Sequence, residues 1–265
     1  PAQGGRQAAK GTQYNRGVGP CDQEENGAVI QDLKYPLAFY TRIGMVKHVG
    51  AGETIGYGAT YTAKEIERDY HRFAKRETRL THLAHITYDK IEINLEKVFR
   101  RLYTRKGVKP TDKMVQDTAI KFRKASTQLL TLYDGVIDLL ESLKKAGKKV
   151  YLLSNAQRCF TYPEMCELGI EKYFDGIFIS SDCACCKPSK VFFNKLVKAY
   201  KLDKSKSIMI GNDCISDMQG AHSAGIDGLY IHQEISTPLE GHELICKYKI
   251  MDGDVTKMKD YLIGK

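Results

Sequence analysis

Ser207-Ile-Met-Ile-Gly-Asn-Asp-Cys-Ile-Ser-Asp217 is the stretch whose reading decides the fold. A short apolar run, Ser207 to Ile210, passes through a glycine into a polar turn, the pattern of a buried strand giving way to a helix. Asp213 falls on that turn and Asp217 four residues later in the first helical turn, so both carboxylates stand at the carboxyl end of the strand. Open α/β sheets bind their ligands at that end. Two acids converging there suit a hard divalent cation such as Mg²⁺, which prefers oxygen ligands. A capping aspartate followed by an exposed acid is the plainer alternative, and an isolated Asp-x-x-x-Asp reads that way. What the neighbouring strand ends carry decides between the two.

Strands and helices alternate around this stretch. A helix with Val136, Leu139, Leu140 and Leu143 on one face closes at Gly147, and Lys149 to Leu153 is a buried strand. Gly176 to Ser180 is the next strand, Phe193, Leu196, Val197 and Tyr200 stripe a helix, and another helix closes at Gly225 before the strand Leu229 to Ile231. The alternation predicts an α/β core over residues 133–265, with a doubly wound parallel sheet. Residues 64–132 read as a helical unit: Leu95, Val98, Phe99 and Leu102 share a helical face, Gly107 interrupts, and Lys109-Pro-Thr-Asp112 starts a further helix. Residues 28–63 form a short β-rich segment, strand-like from Tyr35 to Val49 and glycine-rich from Gly50 to Gly58. Residues 1–27, rich in Gly, Gln, Ala and Arg over the first twenty, read as a disordered tail.

With 265 residues, 42% of them hydrophobic, the chain can bury a sizeable core. No run approaches the roughly 20 apolar residues of a membrane span, and the opening Pro-Ala-Gln-Gly-Gly-Arg lacks the apolar segment of a signal peptide, so a cytoplasmic protein with no membrane partner is expected. The eight cysteines show no disulfide framework, and the trio Cys183, Cys185 and Cys186 has no matching Cys or His pair for a zinc site. His82 and His85 read as incidental. The formal charge of +9 comes from lysines scattered over helix faces, such as Lys195, Lys198 and Lys201, with few aromatics between them. That pattern argues against a nucleic-acid partner and for a basic surface that steers small anionic, phosphorylated molecules.

Three successive strands end in groups suited to phosphate chemistry. The first delivers Ser154 and Asn155, a hydroxyl and backbone N–H groups for a phosphoryl oxygen. Beyond the second lies Lys187-Pro188-Ser189, where the lysine can neutralise developing charge. The third delivers Asp213 and Asp217. In this order the set resembles the haloacid dehalogenase superfamily of phosphatases and related hydrolases, over residues 62–265. Ser154-Asn155 is similar to the second motif of that family, Lys187-Pro188 to the third and Gly211-Asn-Asp213 with Asp217 to the fourth, and the helical stretch is similar to its cap. The resemblance implies Mg²⁺-dependent phosphoryl transfer through an aspartyl nucleophile, with Ser154, Asn155 and Lys187 on the phosphoryl group, Lys187 and Asp213 in the catalytic machinery, and Asp213 and Asp217 on the metal.

The family's first motif, which carries the nucleophile, does not stand upstream of the helical stretch. Ala28-Val-Ile-Gln-Asp32-Leu-Lys34 is the nearest substitute, but Lys34 occupies the place of the acid/base aspartate. Asp32 reads better as a loop residue before the next strand. The segment from Asp32 to Ile43 with Ala51 to Ala63 instead resembles the start of the carboxyl-terminal β-domain of alanine racemases, which implies that Tyr57 matches a catalytic tyrosine. The cofactor-bearing barrel of those enzymes is absent, so no pyridoxal phosphate is expected. The chain thus reads as a chimera joining a racemase-like fragment to a hydrolase without its central strand, and the non-Met start favours a fragment. A crippled phosphatase is the leading reading; a non-catalytic protein binding phosphate and Mg²⁺ is the alternative. The missing strand would leave a slot between the strands ending at Ser154 and Asp213, with Phe39 to Val46 the best candidate to fill it.

Overall fold

The computed structural model describes residues 39–43, 54–55 and 61–264. Asp32 and Tyr57 lie outside the described residues. Three short strands come first, β1 (Phe39–Ile43), β2 (Thr54–Ile55) and β3 (Tyr61–Thr62), and three helices follow: α1 (Ala63–Ala84), α2 (Leu95–Arg105) and α3 (Asp112–Ser126). The start signals act as the sequence predicts. Asn94 accepts from the amide of Glu96 at α2, and Thr111 accepts from that of Met114 at α3. Val98 and Phe99 are buried on α2, Phe99 against Val115 and Ala119 of α3 and Phe160 farther along the chain.

The stretch read as helical to residue 132 ends instead in a strand, β4 (Thr127–Leu132). Thr127 is already extended, and its hydroxyl donates back to the Arg123 carbonyl at 2.9 Å, which closes α3. The remaining segment, Thr-Gln-Leu-Leu-Thr-Leu, pairs antiparallel with β1, Phe39 opposite Leu132 and Ile43 opposite Thr127. This corrects the expectation that Phe39 to Val46 enters the core sheet, since β1 spends its ladder on β4.

The α/β part runs α4 (Val136–Lys145), β5 (Tyr151–Ser154), α5 (Arg158–Glu167), β6 (Gly176–Ile179), α6 (Ser180–Cys183), α7 (Lys190–Tyr200), β7 (Ile208–Gly211), α8 (Gly220–Ala224), β8 (Asp227–Ile231), β9 (Tyr248–Ile250) and α9 (Met258–Leu262). Strands β5 and β6 pair in parallel, as do β7 with β8 and β8 with β9. Alternate residues of both ladders feed the same two cores. Leu152, Ile179, Ile208, Ile210, Leu229 and Ile231 pack on one face with α4 and α9, while Tyr151, Leu153, Phe178 and Met209 pack on the other with α7 and α8. The two ladders are therefore halves of one layer covered by helices on both sides, the α/β architecture expected. Among the described residues, β5 pairs only with β6 and β7 only with β8. No helix there is long and apolar enough to cross a membrane.

Candidate functional site

Strand β7 ends at Gly211, and a π-helical turn, Cys214–Gln219, begins three residues later. Asp213 caps that turn: Oδ1 accepts from the amides of Ile215 at 2.9 Å and Ser216 at 2.7 Å. Its other oxygen, Oδ2, accepts from the hydroxyl of Thr237, on the segment after β8. Asp217, one turn on, points back under the strand end. Its Oδ2 accepts from the amides of Asn212 at 3.1 Å and Asp213 at 3.0 Å, and its Oδ1 lies 2.6 Å from Lys187 Nζ. Gly211 permits this approach, because a Cβ there would stand 2.3 Å from Asp217 Oδ2.

Lys187 reaches the cluster from the segment between α6 and α7, and its ammonium is buried with Asp217. Its main chain is held by Asn155. The Asn155 amide donates to the Lys187 carbonyl at 2.9 Å, and its oxygen accepts from the Lys187 amide at 2.7 Å. Asn155 is thus committed to positioning Lys187. Ser154, one residue earlier at the end of β5, is fully buried, and its Oγ has no hydrogen-bond partner among the described residues. The Oδ1 of Asn212 is likewise buried without such a partner. Buried polar atoms are normally paired, so both mark places where something else completes the set.

The structure brings Lys187, Asp213 and Asp217 into one network, with Asn155 behind Lys187 and Ser154 at the end of the neighbouring ladder. For a hard cation the donor chemistry fits. Asp213 Oδ1 and Asp217 Oδ2 each accept two amides, while Asp213 Oδ2 meets Thr237 and Asp217 Oδ1 meets Lys187. Asn212, between Gly211 and Asp213, offers an amide oxygen that is buried without a partner among the described residues. Sequence reasoning missed Asn212 and Thr237. The available signal was the Gly-Asn-Asp order itself; Thr237 sits in an irregular segment with no periodicity to mark it.

The cysteine trio behaves as structural thiols. Burial pushes Cys183 up to about 11 and Cys186 up to about 12. His85 stacks on Tyr88 with ring centres 4.8 Å apart.

The haloacid dehalogenase-like hydrolase family matches residues 71–231, more than half of the chain, and the chain belongs to that family. It is 31% identical over 97 residues to the pyrimidine 5'-nucleotidase PynA of Streptococcus pneumoniae, covering 36% of this chain and 41% of that protein. To the ribulose-1,5-bisphosphate 5-phosphatase of Halopiger xanaduensis it is 24% identical over 204 residues, covering 76% of this chain and 82% of that one. The first curated relatives are matched over only about half of their own length. Among solved structures, a 2-haloacid dehalogenase from Pseudomonas syringae superposes with a TM-score of 0.52 at 16% identity, covering 76% of this chain and 81% of that one. That likeness carries the fold.

Proposed function

We propose that this chain carries the phosphate- and Mg²⁺-binding half of a haloacid dehalogenase-type phosphatase site and that, as it stands, it turns over phosphate esters at a negligible rate. The buried pair of Lys187 and Asp217 beside two orphaned buried polar atoms, Ser154 Oγ and Asn212 Oδ1, is the observation that carries the reading. The Ser154 hydroxyl is free to donate to a phosphoryl oxygen at the end of β5. Lys187, held through its main chain by Asn155, supplies the positive charge that gathers on the transferring group. Asp217 orients that ammonium.

Asp213, Asp217 and Asn212 are the residues that would hold Mg²⁺, which when bound screens phosphoryl charge and aligns the leaving group. Upstream of the helical stretch, where the family carries its nucleophile, no run of this sequence supplies an attacking aspartate with an acid/base partner two residues on, and loss of a nucleophile costs several orders of magnitude in rate. Helices α1 to α3 serve as the cap that shapes the substrate space. The ligand class is a small phosphorylated molecule; relatives named for a nucleotide and for a sugar bisphosphate support that class.

The deciding experiment pairs a Mg²⁺-dependent assay on an aryl phosphate with calorimetric titration of inorganic phosphate in the presence of Mg²⁺. Turnover at buffer background with phosphate binding lost in Ser154→Ala and Lys187→Met is expected. Robust turnover abolished by Asp213→Asn would overturn the crippled reading, and turnover abolished by Asp32→Asn would identify the missing nucleophile. Absence of phosphate binding in a cooperatively folded chain would remove the half-site.

A further inference from the structure

Glu92 lies in the linker between α1 and α2, outside the strand-end network, and no role above uses it. It ties that linker to the core. Its Oε1 accepts from the Ile93 amide at 3.1 Å and from Gln157 Nε2 at 3.0 Å, and its Oε2 stands 3.2 Å from Ser180 Oγ. Its own amide donates to the Ala184 carbonyl at 3.1 Å. Gln157 extends the tie by donating to the Ile93 carbonyl at 2.8 Å and accepting from the Leu95 amide at 2.9 Å. Glu92 forms no ion pair among the described residues. The Cys186 thiol on the segment before α7, itself raised to about 12 by burial, feels Glu92 together with Lys90 and Asp89 of the same linker; Arg158 of α5 and Asp182 of α6 pair with each other at 2.6 Å.

The protons of this cluster can be counted. Ser180 Oγ accepts from the Ala156 amide at 2.8 Å and also stands 3.1 Å from the Ala156 carbonyl. A hydroxyl has one proton to give. If Glu92 is ionised, that proton serves either the carboxylate or the Ala156 carbonyl, which otherwise keeps only the Ser181 amide at 3.2 Å. If Glu92 is protonated, the acid donates to Ser180 Oγ, the hydroxyl donates to the Ala156 carbonyl, and every position is filled. Burial pushes Glu92 up to about 7, against the pull of its bonds from Ser180, Ile93 and Gln157.

We propose that Glu92, as the neutral acid, is a positioning residue that acts through Ser180 to fix the turn at Ala156, and with it the Ser154–Asn155 end of β5, in the geometry that receives an oxyanion. This role rests on the phosphate-binding reading of that strand end. The site therefore tightens on its ligand as the linker takes up a proton. Glu92→Gln keeps a donor toward Ser180 and an acceptor toward Ile93 and Gln157, so it mimics the protonated state at every pH.

The test compares the full chain with Glu92→Gln from pH 5.5 to 8.5 by two readouts, amide hydrogen exchange at the Ala156 turn and calorimetric affinity for sulfate, a probe whose charge is constant over that range. The expected result is that wild-type protection at the turn falls about fivefold relative to the variant as the pH rises through 7, the worth of one hydrogen bond, and that sulfate affinity falls with it while the variant stays level. Equal protection in the two proteins across the range overturns the coupling, whether or not sulfate binds. Sulfate binding with no pH dependence in wild type also overturns it, because the strand end then ignores Glu92. Sulfate binding in neither protein, with protection still pH-dependent in wild type alone, refutes the phosphate reading and the positioning role together while leaving the Ser180 tie in place.

Discussion

Lys187 Nζ and Asp217 Oδ1 lie 2.6 Å apart with both side chains buried, although thirty positions separate them in the chain. Two charges taken out of water are tolerated only because each meets the other, and Asp217 meets two amides besides. The pair links the segment before α7 to the turn after β7.

Breaking that pair from one side leaves an uncompensated buried charge. Lys187→Met is expected to cost about 3 kcal/mol of unfolding free energy, read from denaturant midpoints. The double variant Lys187→Met with Asp217→Leu should cost less than the sum of the two single variants. Additive losses would mean that the two side chains do not interact in solution.

Asp213 is both a cap and a member of the candidate cation set, and two substitutions separate the roles. Asp213→Asn keeps an oxygen for the amides of Ile215 and Ser216, so stability should hold while Mg²⁺ affinity by calorimetry drops. Asp213→Ala should lose Mg²⁺ affinity and in addition about 1 kcal/mol of stability with the cap. Equal stability of the two variants would remove the capping role.

Gly211 makes room for Asp217. A methyl group there meets the carboxylate 2.3 Å away, so Gly211→Ala must displace Asp217 from the amides of Asn212 and Asp213. Weaker oxyanion and Mg²⁺ binding together with a lower unfolding midpoint is the expected outcome. Binding unchanged from wild type would show that Asp217 can sit elsewhere without consequence.

Acid stability has a different source. Burial would raise the carboxyl of Asp175, yet bonds from the Val150 amide at 2.8 Å and from Lys144 and Lys149 hold it at about 2, below the ordinary 3.8. Because the folded value is the depressed one, the stabilisation is complete above about pH 4 and is lost as the pH falls toward 2. Asp175→Asn should flatten that part of the stability curve and lower the plateau above it. An unchanged acid limb in the variant would place the linkage on other carboxylates.

The periodic parts of the molecule were legible in the chain because burial on one face imposes a period. The face of Val136, Leu139, Leu140 and Leu143, the strands ending at Ser154 and Gly211 and the start of α3 at Thr111 stand where the pattern puts them. β4 was not legible: a helical unit that ends in six strand residues shows its change of period over too short a window, and its partner β1 is chosen by tertiary pairing. Ser154 and the Gly211-Asn-Asp turn were legible for the same reason as the strands, since each follows an apolar run directly.

The sequence alone determined the alternation of strand and helix, and with it the parallel layer and the order in which Ser154, Lys187, Asp213 and Asp217 arrive at its carboxyl edge. Only the tertiary structure decided what each of them touches. It turned Asn155 onto the main chain of Lys187, divided Asp213 between a cap and Thr237, left Asn212 and Ser154 as the unsatisfied atoms, and hung Glu92 on Ser180 from a linker 88 positions away. Periodicity records which residues face the core. Hydrogen bonds between segments remote in the chain depend on directions and distances that no local pattern encodes.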